Sequence, residues 1–246
     1  MRPDHGAWIG EARAHPFRGA SPGTPSFARH DLVWLDPAYP DAIEAGRVED
    51  RALAAAWIRT NRPLVVRRDE QSPAPAGSGW IALGLPLPTR LDRRRIGLRV
   101  PDAMIVRRGR MPLLAEAGPS AFSGWRALLR DLARDLASCG ATVRVYGSLG
   151  WQYLTGEGYL HPASDIDLLI EPGARLNLRR LLAVLGEAAW ADRPRLDGEI
   201  RLAPDRAVAW RELLSNAPQV LVRELDGLSL VPRAAALREL QPGVPA

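Results

Sequence analysis

Lysine is absent from the 246 residues, so all 33 basic side chains are arginine. That excludes a Walker A phosphate loop, a pyridoxal Schiff base and other lysine-dependent chemistry. A single cysteine, Cys139, excludes an internal disulfide and any multi-cysteine zinc site. The four histidines, His5, His15, His30 and His161, form no H-x-x-x-H or comparable zinc spacing. No apolar run is long enough to cross a bilayer, and the N-terminus lacks the apolar stretch of a secretory signal. A cytoplasmic protein with no membrane partner is expected.

Hydrophobic residues make up 46% and charged residues 25% of the chain, an ordinary balance for a folded protein with one large or two small cores. The net charge of +5 is carried entirely by guanidinium groups, which pair bidentately with phosphate and carboxylate. Charge alone is a weak argument for nucleic acid, which is not an expected partner. Residues 1–26, rich in Gly, Pro, Ala and Arg without periodicity, read as a disordered leader. Residues 27–116 read as a small α+β domain: a strand in HDLVWL (30–35), a helix over 41–59, and strands at 63–68, 79–87 and 95–100. The Pro/Gly-rich QSPAPAGSG (71–79) connects two of them.

Residues 117–246 read as a second domain, a mixed sheet flanked by helices. Ser123 is placed to cap a helix whose apolar face is Trp125, Leu128, Leu129, Leu132 and Leu136, and Gly140 is placed to stop it. TVRVYGS (142–148) is expected to be a strand entering a tight turn, with further strands at 164–170 and 195–202. Helices are expected over 175–190 and 205–214, then a last strand at 219–225 and a short helix near 233–240.

With 28 acidic residues, two acids two positions apart arise by chance, and three such pairs occur: Asp165/Asp167, Asp197/Glu199 and Glu224/Asp226. Context singles out the first. In SDIDLLI (164–170) strand alternation puts Asp165 and Asp167 on one face and Ile166, Leu168 and Ile170 on the other. Two carboxylates beside a buried strand need neutralising, and hard oxygen donors favour Mg²⁺ or Mn²⁺. Upstream, Gly147 and Ser148 leave a strand in a turn whose backbone N–H groups and hydroxyl can approach phosphate, because Gly147 has no Cβ in the way. A third acid comes from RLDGEIRL (195–202): Asp197 is preferred for its shorter side chain, with Glu199 the alternative or a solvated strand-face charge. Gly-Ser, then Asp-x-Asp, then a later-strand acid is the pattern of a nucleotidyltransferase, with Asp165, Asp167 and Asp197 catalytic and metal-binding.

The run VYGSLGWQYLTGEGYLHPASDIDLLI (145–170) resembles the holo-[acyl-carrier-protein] synthase of malonate decarboxylase, the phosphoribosyl-dephospho-CoA transferase family. The 16 residues between Ser148 and Asp165, and the WQ-x-LTG-x-x-YL stretch within them, carry the likeness. HDLVWL, GLPLP (84–88), LDGEI and VAWREL (208–213) extend it over roughly residues 29–240. The resemblance implies 2′-(5″-triphosphoribosyl)-3′-dephospho-CoA as donor and a serine of the acidic acyl-carrier subunit of malonate decarboxylase as acceptor, with diphosphate released. Gly147 and Ser148 would grip the leaving diphosphate. Arg67, Arg68 and the run Arg93-Arg94-Arg95 are candidates for donor phosphates or the carrier, Arg67 and Arg94 foremost. Cys139 and Trp151 read as core residues, Trp151 with adenine stacking as its functional alternative, and His161 as a loop residue without a role. Two other readings stay open: a nucleotidyltransferase that adenylylates a protein or small molecule, and a silent module that only binds a partner.

Overall fold

The computed structural model describes residues 27–39, 43–68, 79–188, 194–225 and 227–241. The expected leader (1–26), most of the 71–79 connection and the ends of two expected helices (41–42 and 189–190) lie outside them. The first unit comprises β1 (Leu32–Leu35), β2 (Glu44–Ala45), α1 (Val48–Arg59), β3 (Leu64–Val66), β4 (Trp80–Pro86), β5 (Arg95–Pro101) and β6 (Ile105–Gly109). Its strands form an antiparallel sheet of order β2-β5-β4-β3-β1-β6. The alternation of RIGLRVP fixes which way β5 faces: Ile96, Leu98 and Val100 are buried, while Arg95 and Gly97 belong to the opposite face. Helix α1 closes that core with Ala54, Trp57 and Ile58, and the Trp57 indole N–H donates to Pro63 O at 2.8 Å.

The second unit runs α2 (Leu114–Ala117), α3 (Ser123–Ser138), β7 (Ala141–Tyr146), α4 (Gly147–Thr155), β8 (Ile166–Pro172), α5 (Leu178–Ala188), β9 (Leu196–Ala203), β10 (Arg206–Ala209), α6 (Trp210–Leu214), β11 (Gln219–Arg223), β12 (Leu228–Pro232) and α7 (Arg233–Leu240). The sheet order is β12-β11-β10-β9-β8-β7, with β8 and β9 parallel and the other pairs antiparallel. A parallel pair needs a crossover, and α5 supplies it. The chain is therefore α+β, with a mixed, helix-flanked second sheet. Trp125, Leu129, Leu132 and Leu136 of α3 are buried in its core, and Gly140 ends that helix at φ +83°.

Four local expectations need correction. Ser123 is the first helical residue of α3 and Phe122 occupies the cap, with no side-chain cap bond. The stretch 205–214 is a strand and then a single turn of helix, because Arg206–Ala209 pairs with both β9 and β11. The strand at 219–223 is followed by another, β12, its hairpin partner. Gly147 and Ser148 open helix α4, where only a turn was expected.

The segment after α4 joins the two units. The Gln152 side chain accepts from Tyr159 N and Leu160 N at 3.1 Å each and donates to Ser120 O at 2.6 Å. So folded, the segment sends Trp151 and Tyr159 into the core of the first unit, edge-on to Trp57 at 6.2 Å in the case of Trp151. The Tyr159 hydroxyl donates to Pro86 O, Thr89 N donates to Gly158 O, and Glu157 binds both Arg62 and Arg90. Trp151 is 3% exposed, its ring committed to packing.

Candidate active site

Strand β7 passes directly into α4, so Gly147 must turn the backbone at φ +59° at the point where the chain meets β8. A Cβ at Gly147 would collide with the Asp167 carboxylate. Register explains the contact. Tyr146 on β7 pairs with Asp167 on β8, and Asp167 pairs with Asp197 on β9, so the three project from one face of the sheet. Ile166, Leu168 and Ile170 are fully buried on the other face, as the alternation requires.

Asp167 is mostly buried, and this burial, reinforced by the charges of Asp197 and Asp165, pushes its pKa up to about 7 against the opposing pull of Arg95 and Arg195. Among the described residues nothing donates a hydrogen bond to this carboxylate or forms an ion pair with it. Asp197 is exposed, and its Oδ1 accepts from Gly198 N at 2.8 Å. Asp165 sits one residue before β8, bound by both Arg195 Nε (at 2.7 Å) and Nη2. As the side chains stand, no three His, Cys, Asp or Glu among the described residues are close enough to hold a metal ion, because Asp165 is turned toward Arg195. The donor chemistry still fits a divalent cation: three oxygen ligands with a desolvated, unpaired carboxylate at their centre. The exposed Arg195–Asp165 pair is the kind that exchanges cheaply.

Glu199 is no solvated strand-face charge. It is 6% exposed, two residues beyond Asp197, with its carboxylate 3.3 Å from Arg29 and 3.7 Å from Arg223. Burial alone would raise its pKa, but the His30 contact at 3.6 Å and the two guanidinium charges outweigh that and hold it down to about 2. Burial lowers the pKa of His30 itself, whose ring stacks on Tyr146 at 4.1 Å. Glu199 is thus committed to tying the first unit to β9, while Asp197 is left open.

Between the units lies a cleft of about 1080 Å³ lined by Tyr146, Gly147, Ser148 and Asp167 on one side and by β3, β4 and β5 on the other. Among the described residues seven arginines line it, including Arg47, Arg67, Arg68, Arg93 and Arg95, against two acids, Asp50 and Asp167. Such a wall concentrates polyanionic ligands. Arg67 lines the cleft; Arg94 is not among its lining residues, and its guanidinium binds Asp50 at 2.6 Å. Neighbouring Arg93 and Arg95 line the wall in its place.

Both units match family models: residues 113–234 the phosphoribosyl-dephospho-CoA transferase MdcG C-terminal domain, and residues 28–110 the corresponding N-terminal domain. The chain belongs to the phosphoribosyl-dephospho-CoA transferase family. A protein of that name from Xanthomonas campestris pv. campestris (strain 8004) is 34% identical over 86% of this chain and 97% of its own length. One from Bradyrhizobium diazoefficiens is 34% identical over 83% of this chain and 90% of its own, and one from Pseudomonas putida 31% over 87% and 97%. No solved structure matches. The protein is accordingly an enzyme of the transferase class, and among its described residues no helix is long and apolar enough to cross a membrane.

Sequence reasoning about this phosphoribosyl-dephospho-CoA transferase family member missed the cluster of Arg29, His30, Tyr146, Glu199 and Arg223. Only the aromatic beside Gly147 could have hinted at it. His161 stays in its loop, its Nδ1 accepting from Ala163 N, and Cys139 is buried at the end of α3.

Proposed function

We propose that this chain transfers the phosphoribosyl-dephospho-CoA group from 2′-(5″-triphosphoribosyl)-3′-dephospho-CoA to a serine of the acyl-carrier subunit of malonate decarboxylase. The observation that carries the reading is the unpaired Asp167 carboxylate, in register with Asp197, pressed against Gly147 at the mouth of an arginine-lined cleft. Asp165, Asp167 and Asp197 would hold Mg²⁺ or Mn²⁺, which when bound supplies charge neutralisation to the donor's triphosphate. For Asp165 this means leaving Arg195. Gly147 and Ser148, in the first turn of α4, present backbone N–H groups and a hydroxyl to the departing diphosphate. The serine oxygen attacks the phosphorus next to the ribose, the bond to the diphosphate breaks, and the serine proton is released. Arginines of the first unit, Arg67 and Arg95 among them, balance the donor's charge, and the acidic carrier approaches the same basic mouth.

The test is intact-protein mass spectrometry of apo carrier incubated with donor, Mg²⁺ and enzyme. The expected gain equals the phosphoribosyl-dephospho-CoA moiety, and Asp165→Asn and Asp167→Asn proteins that fold should give none. No gain with donor, or a nucleotidyl gain from ATP instead, would refute the reading.

A further inference from the structure

Gly84 on β4 and Gly97 on β5 are direct partners across the sheet, on the face that lines the cleft. Two facing glycines leave a strip with no side chains, and Arg67 lies over it. A Cβ at Gly97 would stand 2.8 Å from Arg67 Nη2, and one at Gly84 would stand 3.6 Å from its Cδ. Two backbone carbonyls fix the guanidinium: Nε donates to Leu83 O at 3.2 Å and Nη1 to Arg68 O at 3.0 Å. An arginine has five N–H donors, so three remain, and among the described residues no carboxylate is in ion-pair reach of them. The hairpin between β4 and β5 adds Arg93 to the same wall from a backbone at φ +54°, beside Asp92 at φ +58°.

We infer that Arg67 on its Gly84–Gly97 floor is a second anion site, which binds the diphosphate bridging adenosine and pantetheine in the donor. The inference rests on the proposed function for the identity of the ligand. The donor carries two polyphosphates. The acids and α4 claim the reacting triphosphate, and Arg95, whose charge acts on Asp167, belongs to that end. The bridging diphosphate is the remaining polyanion, and a planar, pre-positioned guanidinium suits two adjacent phosphate oxygens. The cleft, at about 1080 Å³, reaches the top of the ~300–1,000 Å³ range of small-molecule sites, as a ligand larger than a mononucleotide needs.

The probe is dephospho-CoA, which has the bridging diphosphate and no triphosphate, titrated calorimetrically without divalent metal. Wild type and Arg179→Gln, the same charge loss on α5, should bind alike. Arg67→Gln should bind on the order of tenfold or more weakly. Gly97→Ala keeps the charge but displaces the guanidinium, and should weaken binding similarly while retaining the wild-type circular dichroism spectrum. If either Arg67→Gln or Gly97→Ala binds as wild type does, the site is not there. Carrier modification, measured separately, reports on the transferase reading: binding without transfer overturns that reading alone, and transfer with indifferent Arg67 variants overturns this inference alone.

Discussion

Replacing Asp167 by asparagine should stabilise the metal-free protein. The folded chain holds a proton on Asp167 up to about pH 7, whereas the unfolded chain releases it near the ordinary value of 3.8. Between those limits the folded state binds more protons, so stability falls as pH rises, and the deficit is complete above pH 7. A shift of roughly three units at 1.36 kcal/mol each sets a ceiling of about 4 kcal/mol, and access of the cleft to water brings the expected value to about 2 kcal/mol. For a chain of this size that is about 4–8 °C in melting temperature. Thermal unfolding followed by circular dichroism in EDTA, from pH 5 to 8.5, should show Asp167→Asn melting higher than wild type, with the gap widening to pH 7 and then constant. Added Mg²⁺ should raise the melting temperature of wild type and close the gap. A variant that melts at or below wild type at pH 8, or a gap that ignores pH, would refute the picture of an uncompensated carboxylate awaiting a cation.

Gly147→Ala forces the new methyl against Asp167 at a positive φ, so transfer turnover should drop about 100-fold, as misplacements of ~1 Å do, in a protein whose circular dichroism is unchanged. Glu199→Gln leaves Arg29 and Arg223 without their carboxylate, and should cost about 2–3 kcal/mol at pH 7 by urea unfolding. Because Glu199 is depressed to about 2, that stabilisation is present above about pH 4.5 and is lost as pH falls through 2, so the variant and wild type should converge in acid. Trp151→Ala removes the ring that anchors the second unit in the core of the first, costing about 3–5 kcal/mol in urea unfolding.

Which parts of the site were readable from sequence follows from how far each relation reaches along the chain. The facing of Asp167 is a two-residue matter, set by buried Ile166 and Leu168, and alternation alone gives it. Its alignment with Asp197 needs the register of a parallel pair, which sequence suggests only through a second acid at the right depth of a strand. Within the run Arg93-Arg94-Arg95 sequence cannot tell which guanidiniums line the cleft: Arg93 and Arg95 do, while Arg94 pairs with Asp50, whose helix lies more than 40 residues earlier in the chain. The burial of Glu199 was illegible because its partners, Arg29 and His30, lie about 170 residues away. The strand at 206–209 does not show in the sequence because four residues are too few to display a period before the helical turn at Trp210.

The long interval between Ser148 and Asp165 is explained by the cleft. Asp167 and the arginines Arg67, Arg93 and Arg95 come from different units, so a ligand that spans both is bound productively only if the units keep a fixed separation. A bare Gly-Ser turn running straight into the Asp-x-Asp strand would build the acidic end and leave the arginine wall free to drift. The intervening helix and loop prevent this through Trp151 and Tyr159, sunk in the neighbouring core, and Gln152, which locks the loop that carries Tyr159. Glu199 makes the second attachment from the other side of Asp197, through Arg29 and His30. The three acids therefore sit between two points where the units are fastened, so errors in their spacing from the wall are small where charge must be matched most closely.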